Sequence, residues 1–173
     1  MKYLYWIFIC LAALTFEAAM SSYLVFLGYK VDFVLLVLMI LMLRWKSSSL
    51  IFIGAGMGLM CDALSHSMLG VYGISYLLTM ILARSVGEWF YDENVFSTLL
   101  FAGVLTIAEG SIALIFFKTL MPWMSWNSQM LGTVLPLAAM HALVSPIILA
   151  ILLRLERLFH VTPNPHFPSL YRG

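Results

Sequence analysis

Apolar residues in this chain come in long runs, and charges fall mostly in the breaks between them. The runs cover about 3–27, 32–45, 49–64, 69–87, 95–117 and 131–153. They end in polar punctuation: "GYKVD", "RWKSSS", "SHSMLG", "EWFYDEN", "KTLMPWMSWNSQM" and "RLERLFH". A helix needs roughly 20 apolar residues to cross a bilayer core of about 30 Å. Six membrane-spanning helices are therefore expected. The second and third runs are short. A re-entrant hairpin would explain their length, but it would carry Arg44 and Lys46 toward the midplane. That costs roughly 3 kcal/mol or more per charge, so two short spans, with thinned lipid or protein around them, are the better expectation.

Composition agrees. Of 173 residues, 63% are hydrophobic and only 10% charged, whereas a soluble domain carries about 25% charged residues. The length suits one domain, taken as 1–160, and three prolines in "PNPHFP" predict an extended tail over 161–173. A net charge of +1, with no basic patch, argues against a nucleic-acid partner. Cys10 and Cys61 lie inside apolar runs without a CxxC, so neither a disulfide nor a metal site is expected. The start of the chain has the look of a signal peptide, with Lys2 before "YLYWIFICLAAL". Further apolar runs follow it, and Glu17 sits badly beside a cleavage site, so the first run is read as a retained span.

Basic residues give an orientation. With an even number of spans and a cytoplasmic start, Lys2, Arg44, Lys46, Arg84, Arg154, Arg157 and Arg172 lie inside. Only Lys30 and Lys118 lie outside, the bias expected of an inner membrane protein with both termini cytoplasmic. All five tryptophans fall at run ends, as an aromatic belt would have them. The segment "MPWMSWNSQM" then lies flat on the outer surface.

Polar residues inside the runs are the candidates for packing or function. In the third run Gly54, Gly58 and Asp62 are spaced by four and share one side of a helix, drifting about 40° per step. Small residues at that spacing let helix backbones approach in lipid. "SHSMLG" reads as a tight turn, with Ser65 or Ser67 capping the next helix and Gly70 and Gly73 allowing close packing. Asp62 either fastens this corner by accepting amide hydrogen bonds or binds a proton, cation or substrate. His66 reads as a solvated turn residue. Glu17 and Glu109 lie deep in their runs and must face protein or carry a proton. Glu109 shares a seam with Ala102, Thr106 and Ala113, with Gly110 beside it. His141 shares a face with Ala138, Ala142 and Ser145, and a Glu109–His141 or Glu17–His141 pair is open. Interhelical hydrogen bonding, partner contact and transport or catalysis are the readings for these groups. Pro136 and Pro146 predict kinks in the sixth run. Arg84 and Glu88, one turn apart, read as a surface pair, and the 12 methionines as flexible packing. No Walker motif, GxSxG or HExxH is present, so neither an enzyme nor a cofactor is expected.

The stretch "GMGLMCDALSHSMLGVYGISYLL" resembles the signature of the MreD family, a Gly-Leu-x-x-Asp segment followed by a turn and Leu-Gly. The matching positions are Gly58, Leu59, Asp62, Leu64, Leu69 and Gly70. "VDFVLLVLMILMLRW" resembles the family's second helix, which often opens Pro-Asp; Val31 stands in for the proline and Asp32 is kept. The resemblance implies a non-enzymatic membrane scaffold of the bacterial cell-wall elongation complex, helping to maintain rod shape. It implies binding of MreC, a bitopic protein, and association with MreB, RodA and a class B penicillin-binding protein. It also implies a bundle similar to the substrate-binding S components of energy-coupling-factor vitamin transporters. That likeness supplies a rival, a vitamin-binding S component, whose Ala-x-x-x-Ala docking motif is missing from "LAALTFEAAMSS". A proton-coupled carrier using Glu17 and Glu109 is a third class, without an internal repeat to support it.

Overall fold

A computed structural model describes residues 2–20, 25–26, 29–65, 70–90, 95–120 and 128–161. Six helices follow in order: α1 (Lys2–Met20), α2 (Phe33–Trp45), α3 (Ser49–Ser65), α4 (Val71–Val86), α5 (Val95–Leu120) and α6 (Ser128–Leu158). α5 and α6 are long and apolar enough to cross a membrane, and the other four are shorter apolar helices. The first helix is shorter than its apolar run. It stops at Met20, and a two-residue antiparallel ladder pairs Val25 with Lys30 and Phe26 with Tyr29 before α2 begins. Val25 and Phe26, still inside the apolar run, are strand and not helix, in keeping with the preference of β-branched and aromatic residues for extended pairing.

α2 is the centre of the bundle. It packs against all five other helices, and every side chain from Val34 to Trp45 is buried. A helix that is apolar all round belongs in an interior. Its shortness follows, because the helix is walled by protein for its whole length. Asp32 starts it: the side chain accepts from Leu35 N at 2.7 Å as an N-cap. Lys46 ends it in the left-handed region, its N–H reaching Met42 O.

α3 and α4 form the tightest antiparallel pair. A Cβ on Gly58 would stand 2.5 Å from the carbonyl oxygen of Tyr72, so only glycine allows this crossing. Gly70 is the N-cap of α4 at φ +103°, with no side-chain cap bond. The capping expected from Ser65 or Ser67 falls on side chains outside the described residues. Ser65 closes α3, and Ser67 lies with His66 outside the described residues.

α5 and α6 form the second long seam, and two prolines lie inside α6. Pro146 cannot donate to Ala142 O four residues back. The Ser145 hydroxyl donates to that oxygen instead, at 2.8 Å. The helix thus runs on to Leu158 without leaving that buried carbonyl unpaired.

The helix starts and ends gather at two poles. At one, the beginning of α1 meets the end of α6 through Tyr5–Phe159 and Phe8–Phe159 edge contacts. Here Arg44, buried, makes a forked pair with Glu156: Nε donates to Oε1 at 3.1 Å and Nη2 to Oε2 at 2.7 Å. Trp45 Nε1 adds a third bond to Oε1 at 3.2 Å. Trp6 and Trp45 are buried against each other, edge to face, so these two tryptophans are core residues and not part of a lipid-facing belt. Arg84 donates to Ser48 Oγ, and no Arg84–Glu88 pair occurs among the described residues. The other pole carries the polar groups described next. Most of "MPWMSWNSQM" and the tail beyond Val161 lie outside the described residues.

Candidate functional site

Asp62, 1% exposed, closes the α3–α4 corner. Its Oδ2 accepts from Gly70 N at 2.9 Å and Gly73 N at 3.1 Å, and its Oδ1 from Tyr72 N at 3.1 Å. These are amides of the first turn of α4, which have no partner inside their own helix. The positive end of the helix dipole adds to the fit. Gly54 lies one turn from Gly58 on the same stripe, and a Cβ there would meet Met80 Cγ of α4 at 2.7 Å. The Gly54/Gly58/Asp62 stripe therefore faces α4, inside the chain.

A second polar group forms where α1 meets α2. The Glu17 Oε2 accepts from Phe33 N at 3.1 Å and Val34 N at 3.4 Å, so a side chain of α1 covers the amino end of α2. Asp32 also accepts from the Tyr76 hydroxyl of α4. Asp32 N donates to His141 Nε2 at 3.0 Å. His141 Nδ1 lies 2.9 Å from Thr106 Oγ1, whose own proton goes to Ala102 O at 2.8 Å. One ring nitrogen must accept and the other must donate. His141 is therefore a neutral imidazole protonated on Nδ1. An imidazolium would set an N–H against the Asp32 N–H. In this network one histidine ties α6 to α5 and to the start of α2.

On α5, Ala102, Thr106 and Glu109 are buried and Ala113 is half-buried. A Cβ on Gly110 would stand 3.0 Å from Val134 Cγ1 on α6. His141 meets Thr106 and the Asp32 amide, and no hydrogen bond from His141 to Glu17 or Glu109 is among the bonds described for these residues. Both acids nonetheless line one cavity with His141, about 420 Å³ in volume. Asp32, Tyr72, Tyr76 and Thr133 also line it. Among the described residues, no group of three His, Cys, Asp or Glu side chains is placed to hold a metal ion.

Sequence reasoning missed Tyr76 and Glu156, and saw Asp32 only within the family signature. Asp32 had a local signal, since an aspartate just before an apolar run is a helix N-cap pattern. Glu156 had none: its partner Arg44 is 112 residues away.

These features define a helical membrane protein whose interior acids are built into helix starts and seams. The sequence model of the family described as rod shape-determining protein MreD matches residues 1–161. The chain belongs to the MreD family, and its role is in rod shape determination. No curated protein and no solved structure matches the chain.

Proposed function

We propose that this chain is a six-span scaffold of the bacterial cell-wall elongation complex, in the inner membrane with both termini cytoplasmic. It acts by binding and not by catalysis. A bitopic MreC-like protein lays its single membrane helix against the outside of the bundle. The short loops at the Arg44 pole meet MreB, and RodA and a class B penicillin-binding protein complete the assembly. The family match over residues 1–161 carries this reading.

Two features of the fold support it. α1 begins beside the end of α6, at the pole that holds Arg44, Lys46 and Arg84. Basic residues gather on the cytoplasmic side of membrane proteins. The small-residue seams at Gly58 and Gly110 are occupied by α4 and α6. Partner contact therefore falls to outward apolar side chains such as Leu4 and Phe8 of α1 or Leu135 and Leu143 of α6.

The test is affinity capture of the tagged chain from its native membrane in mild detergent, followed by mass spectrometry. Recovery of a single-span MreC-like protein together with wall synthases is the expected result. Recovery of a transporter ATPase and coupling subunit instead would replace this reading with that of an S component.

A further inference from the structure

Among the described residues, Glu109 is the one buried acid that nothing holds. It is 7% exposed and lines the cavity. Asp62 has the first amides of α4, and Glu17 and Asp32 have those of α2. Glu156 has Arg44. Glu109 makes no hydrogen bond or ion pair to any described residue, and it lies within α5, where the backbone amides are already spent on the helix.

Its surroundings do not compensate. Asp32 and Glu17, two further acids, line the same cavity. Among the described residues no lysine or arginine lines the cavity, and the acceptor nitrogen of His141 is taken by Asp32 N. A buried carboxylate without a partner is costly. The cavity beside it has the volume of a small-molecule site, within the usual range of about 300–1,000 Å³. One wall is acidic and hydroxylic. Much of the remaining lining, with Leu114, Phe117, Val134 and Leu137, is apolar.

We propose that this cavity binds a primary ammonium group carried on a short apolar chain or lipid headgroup, with Glu109 as its ion-pairing residue. A primary ammonium brings three N–H donors and a positive charge, the two things that this wall lacks. It would bond the Glu109 carboxylate directly, and the aromatic lining of Tyr72 and Phe117 suits a cation. A bare metal ion fits poorly, because no three ligating side chains converge among the described residues. The site is independent of partner docking, so loss of the capture described above leaves it standing.

The experiment titrates hexylammonium chloride into the full-length protein in phosphatidylcholine nanodiscs, with hexanol as the chain-matched neutral control. The midpoint of thermal unfolding is followed against probe concentration. Hexylammonium should bind at least about tenfold more tightly than hexanol, as a charged hydrogen bond requires. Glu109→Gln should reduce it to the level of hexanol. Ala113→Leu, which keeps the carboxyl but fills the cavity, should weaken it similarly. A second set of nanodiscs containing phosphatidylethanolamine identifies the source. If that lipid abolishes the hexylammonium response, the natural guest is an aminoethyl headgroup; if the response persists, it is a free amine. Equal responses to hexylammonium and hexanol in the wild type would overturn the proposal. So would an unchanged hexylammonium response in Ala113→Leu, which decides the matter even where Glu109→Gln does not fold.

Discussion

The α3–α4 corner and the α5–α6 seam each bury one acid among small residues, and they treat it differently. Asp62 accepts three backbone N–H groups, whereas Glu109 accepts none among the described residues. The glycines differ in the same way. Gly58 faces the backbone of α4, which cannot turn aside, and Gly110 faces the tip of Val134, which can rotate. The corner is closed on itself by contacts of fixed geometry. The seam keeps a cavity and a carboxyl with spare capacity. A buried polar residue at helical spacing is thus not one kind of object. What separates structure from opportunity is whether a helix start lies within reach.

The sharpest way to break the comparison is to add carbon at the two glycines. Gly58→Ala puts a methyl 2.5 Å from Tyr72 O and 2.9 Å from Gly73 Cα. The helices must part, at a cost of about 3 kcal/mol or more, the upper end of overpacking penalties. Gly58→Leu should prevent a folded monomer altogether, read as loss of the monodisperse peak in detergent size-exclusion chromatography. Gly110→Ala meets only Val134 methyl groups at 3.0 and 3.1 Å, and should cost about 1 kcal/mol or less. Equal losses in the thermal unfolding midpoints of the two alanine variants would show that the two seams are equally tight.

Removing the corner carboxylate comes next in size. Asp62→Leu orphans three amides, one buried and two part-buried, and should destabilise by about 3 kcal/mol, at about 1–3 kcal/mol for each unsatisfied group less local relaxation and hydration. Asp62→Asn keeps one acceptor oxygen. Placed where Oδ2 now lies, it still takes the Gly70 and Gly73 N–H groups. Its loss should be about half that of leucine, measured by chemical or thermal unfolding in detergent. Identical losses would mean that the charge, and not the hydrogen bonding, holds the corner.

Much of this architecture is legible in the sequence because lipid and helix geometry leave few choices. Most of each apolar run is helix, though the first also reaches the Val25–Phe26 strand. Spacing by four placed Gly54, Gly58 and Asp62 on one stripe, and Ala102, Thr106 and Glu109 on one face. What the sequence does not carry is which stripe meets which. The Arg44–Glu156 pair joins residues 112 apart, and His141 reaches Asp32 N across 109. Neither has a local signature. The centrality of α2 is hidden for a related reason. A helix buried in protein and a helix buried in lipid have the same all-round apolar composition, and only its short length separated the two. The tryptophans show the reverse error: position at a helix end fits a lipid belt, but Trp6 and Trp45 turn inward against one another.

The smallest expected effect tests the seam most directly. Glu109→Gln, without any added ligand, removes the ionisable carboxyl and leaves the side-chain volume nearly unchanged. It breaks no bond to a described residue, so no donor is orphaned by it. The unfolding midpoint should stay level or rise, by an amount worth less than about 1 kcal/mol, typical of changes that disturb no partner. The same isosteric swap at Glu156 strips the forked Arg44 pair of its charge and should cost several times more. A Glu109→Gln loss as large as the one at Glu156 would mean that Glu109 holds the fold in the way Asp62 does. The contrast between the closed corner and the open seam would then collapse.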